Sequence, residues 1–200
     1  TNSYMAQLLK DVIENDPTLA HHWWFPLIER VQPNDFTELK QWFESVDKDK
    51  SGTIELNELK KARLPTGATL DDKTILRLMR IFDVDYSGDI SFTEFIALWK
   101  FLNIALETFS SFDGDKSGSL DRHELDEALN SLGFSCSKRS IDVLVKMNSG
   151  LFGKGVSKNH FIGVVSYLGQ CRTIYQETFK VKKEDIDNHE IGRASCRERV

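Results

Sequence analysis

Apolar residues recur every three or four positions over most of the chain, and this spacing predicts a protein built mainly of helices. One apolar face consists of Phe36, Leu39, Phe43 and Val46. A second face consists of Ile75, Leu78, Met79 and Phe82. The longest face passes, without a proline or glycine, through Phe92, Phe95, Trp99, Leu102, Leu106, Phe109 and Phe112. We therefore predict one continuous helix over residues 92–112, buried on one side.

Short polar residues before the first two faces are suited to begin these helices. Asn34 or Asp35 is the expected N-cap of the first helix, and Asp71 or Asp72 is the expected N-cap of the second. A side-chain oxygen at this position accepts a hydrogen bond from a backbone N–H of the first turn that has no partner within the helix.

Three polar stretches that separate the helices share the pattern D-x-D-x-S-G-x-[I/L]-x-x-x-E, at residues 47–58, 83–94 and 113–124. The pattern puts oxygen donors at positions 1, 3, 5, 7, 9 and 12 around a glycine at position 6. This is the arrangement of an EF-hand calcium loop, and calcium takes about 6–8 oxygen ligands. Three matches in one chain predict three Ca²⁺ sites, each in a helix–loop–helix unit.

The predicted ligands occupy the same six positions in each loop, with the backbone carbonyl used at position 7. In the first loop they are Asp47, Asp49, Ser51, Thr53, Glu55 and Glu58. In the second they are Asp83, Asp85, Ser87, Asp89, Ser91 and Glu94. In the third they are Asp113, Asp115, Ser117, Ser119, Asp121 and Glu124. The glycines at position 6 are Gly52, Gly88 and Gly118, where a positive φ is expected. Ile54, Ile90 and Leu120 at position 8 are expected on short strands that pair two loops.

The spacing of the first three hands, continued along the chain, predicts two further hands. Their loops lack most of the calcium ligands. The fourth loop spans residues 149–160 and has no carboxylate, so we expect it to be silent and to pair with the third through Val156 and Leu120. In the fifth loop, residues 179–190, only Ile186 and Glu190 fit positions 8 and 12. The five hands lie at about residues 36–63, 72–101, 103–131, 138–168 and 171–190, within one calcium-binding region over residues 34–190.

Residues 1–33 form a separate N-terminal segment. We expect it to begin with a short amphipathic helix whose apolar residues are Tyr4, Leu8, Leu9, Val12 and Ile13. Trp23, Trp24 and Phe25 are expected to pack on the hands. A transition-metal site at His21 and His22, or insertion of the aromatic residues into a membrane interface, are the alternatives.

Composition restricts the function classes. The chain is 40% hydrophobic and 28% charged. No apolar run approaches the ~20 residues of a membrane span. No signal-like start is found, and Cys136 and Cys171 are isolated, so we expect a soluble cytoplasmic protein with reduced thiols. The absence of a basic patch argues against nucleic-acid binding. No nucleophile motif or phosphate-cradling loop is found, so no enzymatic activity is expected.

The last ten residues, IGRASCRERV at 191–200, back-translate to a sequencing-adapter oligonucleotide, and we expect them to be an artefact. The chain also opens at Thr1, so it is expected to lack natural sequence at both ends. Without the three arginines and one glutamate of the artefact, the net charge changes from −5 to about −7. Three calcium ions would bring it to about −1, and the repulsion from anionic membranes would be lost.

The chain resembles the penta-EF-hand family over roughly residues 36–190. The resemblance rests on FTEFIALWKFLNIALETFSSFD, on WFESVDKDKSG in the first hand and on IFDVDYSGDISFTEF in the second. It implies an all-α fold of paired helix–loop–helix units with short β-ladders between loops, in which hands one and two pair, as do three and four. It also implies a homo- or heterodimer through the fifth hand.

We therefore expect a calcium sensor that changes conformation on loading and binds a partner protein, or reversibly a membrane. An aromatic pocket around Trp42, Phe43, Trp99 and Phe101 is the expected partner site, because only three methionines are available for a Met-rich groove. A calcium buffer, or the regulatory EF-hand module of a calpain-like protease, are the alternatives.

Overall fold

The structure is a computed structural model that describes Gln7 and residues 17–62, 69–149 and 155–179. The expected N-terminal helix, the fifth loop beyond residue 179 and the adapter-like residues 191–200 lie outside the described residues. So do the six residues that follow Ala62, after the first exit helix.

The described residues form eight α-helices, four short strands and one 3₁₀ turn. After the 3₁₀ turn, Pro17–His21, the helices are α1 (Phe25–Glu29), α2 (Pro33–Val46), α3 (Leu56–Lys61), α4 (Asp72–Phe82), α5 (Phe92–Phe112), α6 (Arg122–Ser131), α7 (Lys138–Asn148) and α8 (Lys158–Phe179). The strands are β1 (Thr53–Glu55), β2 (Asp89–Ser91), β3 (Ser119–Leu120) and β4 (Val156–Ser157). The mainly helical architecture with paired loops confirms the predicted fold class.

The loops pair through two-stranded antiparallel ladders. β1 pairs with β2 so that Ile54 faces Ile90, and β3 pairs with β4 so that Leu120 faces Val156. All four of these apolar side chains are fully buried. The apolar residue at position 8 of each loop therefore lies on a strand that pairs two loops, as predicted. The fourth loop pairs with the third although it lacks carboxylates.

The N-cap of α2, the first of the predicted helices, differs from the prediction. α2 begins at Pro33, and Gln32 is its N-cap. Proline suits the first helical position because it needs no N–H partner and its φ is already helical. Asp35 consequently sits at the third helical position, where its carboxylate accepts a hydrogen bond from the Gln32 N–H at 3.1 Å. The second prediction is met by Asp71, which accepts from the Thr74 N–H at 2.8 Å and caps α4.

The long helix α5 confirms the predicted continuity over its 21 residues. Its burial differs from the prediction, because every residue from Glu94 to Trp99 is buried, not only those on one side. Periodicity identified the side with the large aromatic residues. It missed the small and aliphatic ones, such as Ala97 and Leu98, which also face packed neighbours.

The chain divides into two compact units at Leu102 and Asn103. The first unit contains hands one and two, with a core rich in aromatic rings. The Phe43 ring lies 5.1 Å from that of Phe95, and the Phe82 ring lies 5.6 Å from that of Phe101. In the second unit Phe109 and Phe161 pack with ring centres 5.8 Å apart. No helix among the described residues is long and apolar enough to cross a membrane.

Candidate calcium-binding loops

Two residues per loop hold the backbone in the left-handed region. The position-6 glycines have φ values of 86°, 90° and 78°, as predicted. Position 4 also has a positive φ, at Lys50 (59°), Tyr86 (57°) and Lys116 (55°). The motif does not indicate the second feature, because position 4 is a variable residue with a side chain.

The carboxylate at position 1 fastens the turn. In the first loop Asp47 accepts hydrogen bonds from the backbone N–H of Ser51 and of Gly52, both at 3.0 Å. The corresponding glycine contacts in the second and third loops, Gly88 to Asp83 and Gly118 to Asp113, are 3.0 Å and 3.1 Å long. The position-3 carboxylate accepts as well, from the backbone N–H of the position-5 serine in each loop.

The glutamate at position 12 ties both ends of each loop together. Glu58 accepts from the N–H of Lys48 at 2.7 Å and from that of Glu55 at 3.1 Å. The N–H groups at the same two loop positions, 2 and 9, donate to the glutamate in the other loops. The donors to Glu94 are Val84 and Ser91, and the donors to Glu124 are Gly114 and Asp121. Each glutamate lies in the first turn of the exit helix, so its position links loop closure to helix orientation.

Positions 5 and 7 place two oxygens next to each other. The serine hydroxyl at position 5 donates to the carbonyl at position 7 in all three loops, over 3.1 Å from Ser51 to Thr53 and from Ser87 to Asp89, and 2.8 Å from Ser117 to Ser119. Position 9 acts as a helix cap in the third loop, where Asp121 accepts from the N–H groups of His123 and Glu124. Its predicted role as a ligand stays a prediction.

The first two loops bring their carboxylates together. Oxygens of Asp47, Asp49 and Glu58 all lie within 4.8 Å of one another, and those of Asp83, Asp85 and Glu94 do the same. In the third loop, which lies wholly within the described residues, Asp113, Asp115 and Glu124 form no such group. The third loop keeps the hydrogen-bond pattern of the others and is more open at its carboxylates.

In the second loop, burial and neighbouring charge act on two of the carboxylates. Burial raises the pKa of Asp83, and the nearby Asp85 carboxylate adds to this. Burial also raises the pKa of Glu94, whose residue is only 3% exposed. Hydrogen bonds from Ser87 lower the pKa of Asp85. A partly buried group of acceptor-only oxygens with this charge fits a hard cation, and calcium is the hard cation that takes such ligands.

The position-3 carboxylates of the other loops are exposed to solvent. Hydrogen bonds from Ser51 lower the pKa of Asp49, and those from Ser117 lower the pKa of Asp115. These groups stay ionised to lower pH than a free aspartate, so both loops keep an anionic ligand where the motif requires one.

The predicted partner-site residues do not form an open pocket in this structure. Trp42, Phe43, Trp99 and Phe101 are all buried, with at most 8% exposed. The Trp42 ring packs 4.9 Å from that of Phe95, and the Phe101 ring lies near both Phe82 and Trp23. A partner could reach these residues only after a rearrangement of the first unit, so their role stays a prediction.

Two protein-family models match the segments of this chain that contain the first three hands. The model described as "EF-hand domain pair" matches residues 36–100, and that described as "EF hand" matches residues 105–129. Peflin of Danio rerio is 35% identical over 149 residues, which are 74% of this chain and 55% of that protein. Penta-EF hand domain-containing protein 2 of Dictyostelium discoideum is 28% identical over 77% of this chain and 74% of its own length.

A solved structure of a homolog of programmed cell death 6 protein from Leishmania major Friedlin superposes with a TM-score of 0.52 at 26% identity. The superposition covers 79% of this chain and 93% of the Leishmania chain. The chain spans about half the length of the curated peflins that it matches. With the paired hands and the three loops, these likenesses show that the chain belongs to the penta-EF-hand family of calcium-binding proteins.

Proposed function

We propose that the protein is a calcium sensor that exposes an apolar surface to a partner protein or a membrane when its loops are loaded. The observation that carries the proposal is the state of Trp99, a buried residue of α5. Its indole N–H is inaccessible to solvent and has no hydrogen-bond acceptor among the described residues. A buried donor without an acceptor costs about 1–3 kcal/mol. A conformation that gives this N–H an acceptor, from water or from a partner, recovers this cost and gives up part of the burial of the ring.

The same helix connects Trp99 to a calcium loop. Glu94, the position-12 ligand of the second loop, lies in the first turn of α5, five residues before Trp99. Its carboxylate is held by the Val84 N–H and the Ser91 N–H. Turning both carboxylate oxygens of Glu94 toward a bound ion would draw the start of α5 with it. This movement supplies the switch that a buffer lacks.

We place this sensor in the cytoplasm, without catalytic activity of its own, and expect its membrane association to be reversible. A second penta-EF-hand chain, bound through the fifth hand, is the proposed dimer partner. Support comes from the family membership and from a net charge of −5 that three ions would offset.

The test combines calorimetry of calcium binding with a dye that fluoresces on apolar surface. We expect affinities of roughly 10⁻⁷–10⁻⁵ M and a rise in dye fluorescence on loading. Glu94→Gln should weaken the second site and reduce the dye response. Glu107→Gln, an exposed position on the same helix, is the matched control and should change neither. Binding without a dye response would refute the sensor and identify a buffer.

A further inference from the structure

Residues 19–31 precede the first pair of hands, and Trp23 and Trp24 pack against that pair. Trp24, Ile28 and Val31 stand at positions i, i+4 and i+7 along α1 and its flanks, and each is buried with at most 4% exposed. This spacing is the anchor pattern of an amphipathic helix lying in an apolar groove. Leu19 and Phe25 are buried beside them.

The principal anchor is Trp24, which is completely buried. Its indole N–H donates to the backbone carbonyl of Ile81 at 3.1 Å, and its ring packs 5.6 Å from that of Phe82. Ile81 lies in the last turn of α4, where backbone carbonyls have no N–H donor within the helix. Trp24 therefore satisfies a group of the hand pair that would otherwise need an outside donor.

The backbone of the segment satisfies its own hydrogen bonds. The N–H groups of Phe25, Leu27 and Arg30 donate to the carbonyls of His22, Trp24 and Leu27. Val31 likewise donates to Ile28 within the segment. Gln32, in extended conformation, then joins the segment to α2. The anchors that hold the segment to the hands are side chains, so another helix with the same side chains could replace it.

We propose that residues 19–31 are an intramolecular ligand, which occupies a groove of the first hand pair that also accepts a partner helix. The partner is an amphipathic helix with tryptophan at its first anchor position and aliphatic residues at i+4 and i+7. Competition between the two decides whether the partner binds. This goes beyond calcium-driven opening and is tested in a calcium chelator, so that its failure and that of the sensor are separable.

The test uses the full chain and a labelled synthetic peptide of residues 17–31. Trp24→Phe keeps an aromatic ring and loses the N–H that reaches Ile81. We expect this variant to bind the peptide about tenfold more tightly than the unaltered chain. Glu29→Gln, an exposed position of the same segment, is the control and should bind like the unaltered chain. A peptide with alanine in place of Trp24 should not bind. Equal affinity of the unaltered chain and Trp24→Phe, or no peptide binding by a folded variant, would overturn the proposal.

Hydrogen exchange of the unaltered chain tests the proposal without any variant. The amides of Leu27, Arg30 and Val31 should exchange at least tenfold faster than the amides in the middle of α2, because the segment detaches while the hands stay folded. Excess synthetic peptide should speed this exchange further. Exchange of the segment only together with α2, by global unfolding, would show that it is an ordinary part of the core and would refute the proposal.

Discussion

Among single residues, position 4 of the loops is the least expected feature. Three residues with side chains, Lys50, Tyr86 and Lys116, adopt a left-handed backbone conformation. In this conformation Cβ approaches the following carbonyl oxygen, at a cost of roughly 1–2 kcal/mol per residue. The hydrogen bonds of Asp47 and its equivalents fix the turn and offset that cost. Each loop therefore stores strain next to its first ligands.

Tyr86→Gly should stabilise the calcium-free protein. Tyr86 is 78% exposed, so its removal loses little packing. Glycine adopts the left-handed conformation of this position without strain. After the entropy cost of glycine in the unfolded chain, we expect a gain of about 0.5–1 kcal/mol in the free energy of unfolding. Urea denaturation in a chelator measures it. Lys48→Gly, an exposed loop position without a positive φ, should be neutral or destabilising, and equal losses in both variants would contradict the explanation.

Among the elements, the pairing of the third and fourth hands depends on one glycine. Gly155 has φ 95°, and a Cβ on it would lie 2.4 Å from the Leu120 carbonyl oxygen. Only a backbone without a side chain can approach β3 this closely. The loop of the fourth hand has no carboxylate, and it pairs with the third loop through Leu120 and Val156.

Gly155→Ala should therefore destabilise the second unit. The added methyl group must push the Leu120 backbone away, and a positive φ strains alanine as well, for a loss of about 1–3 kcal/mol. Thermal unfolding and the exchange rate of the Leu120 amide measure the effect. Gly114→Ala is the control, since a Cβ there would meet only Glu124 Oε1 at 3.8 Å and φ is not positive. Unchanged exchange at Leu120 in Gly155→Ala would show that the ladder tolerates the methyl group.

For the molecule as a whole, the proposed membrane association depends on net charge. The chain carries −5 before loading, and three divalent ions add a charge of similar size and opposite sign. If all three loops fill, we expect repulsion from an anionic surface only in the calcium-free protein.

Sedimentation with phosphatidylserine-containing vesicles should show this change. We expect the protein to sediment in calcium and to remain in the supernatant in a chelator, with binding weakened by salt. The triple variant Glu58→Gln, Glu94→Gln and Glu124→Gln is the control for calcium bridging by the lipid and should not sediment. Sedimentation of this variant to the same extent as the unaltered chain would refute a role for the loops.

The hands themselves follow from local sequence. A calcium loop is a continuous segment of twelve residues. Its ligand positions, the glycine at position 6 and the apolar residue at position 8 are all defined within that segment. Helix periodicity is local as well, so the 21-residue helix α5 and the pairing of the carboxylate-free fourth loop could both be predicted.

What the apolar faces meet depends instead on tertiary packing. Periodicity assigns Trp99 to a buried position and the aromatic residues near Trp24 to the hands, but neither pattern gives the hydrogen-bond partner of either indole. For Trp24 the partner is the Ile81 carbonyl, and for Trp99 the described residues provide no acceptor at all. The third loop shows the same limit, because a motif shared with the first two does not fix how closely its carboxylates converge. Distances between such groups depend on how the flanking helices pack, and no local pattern records that packing.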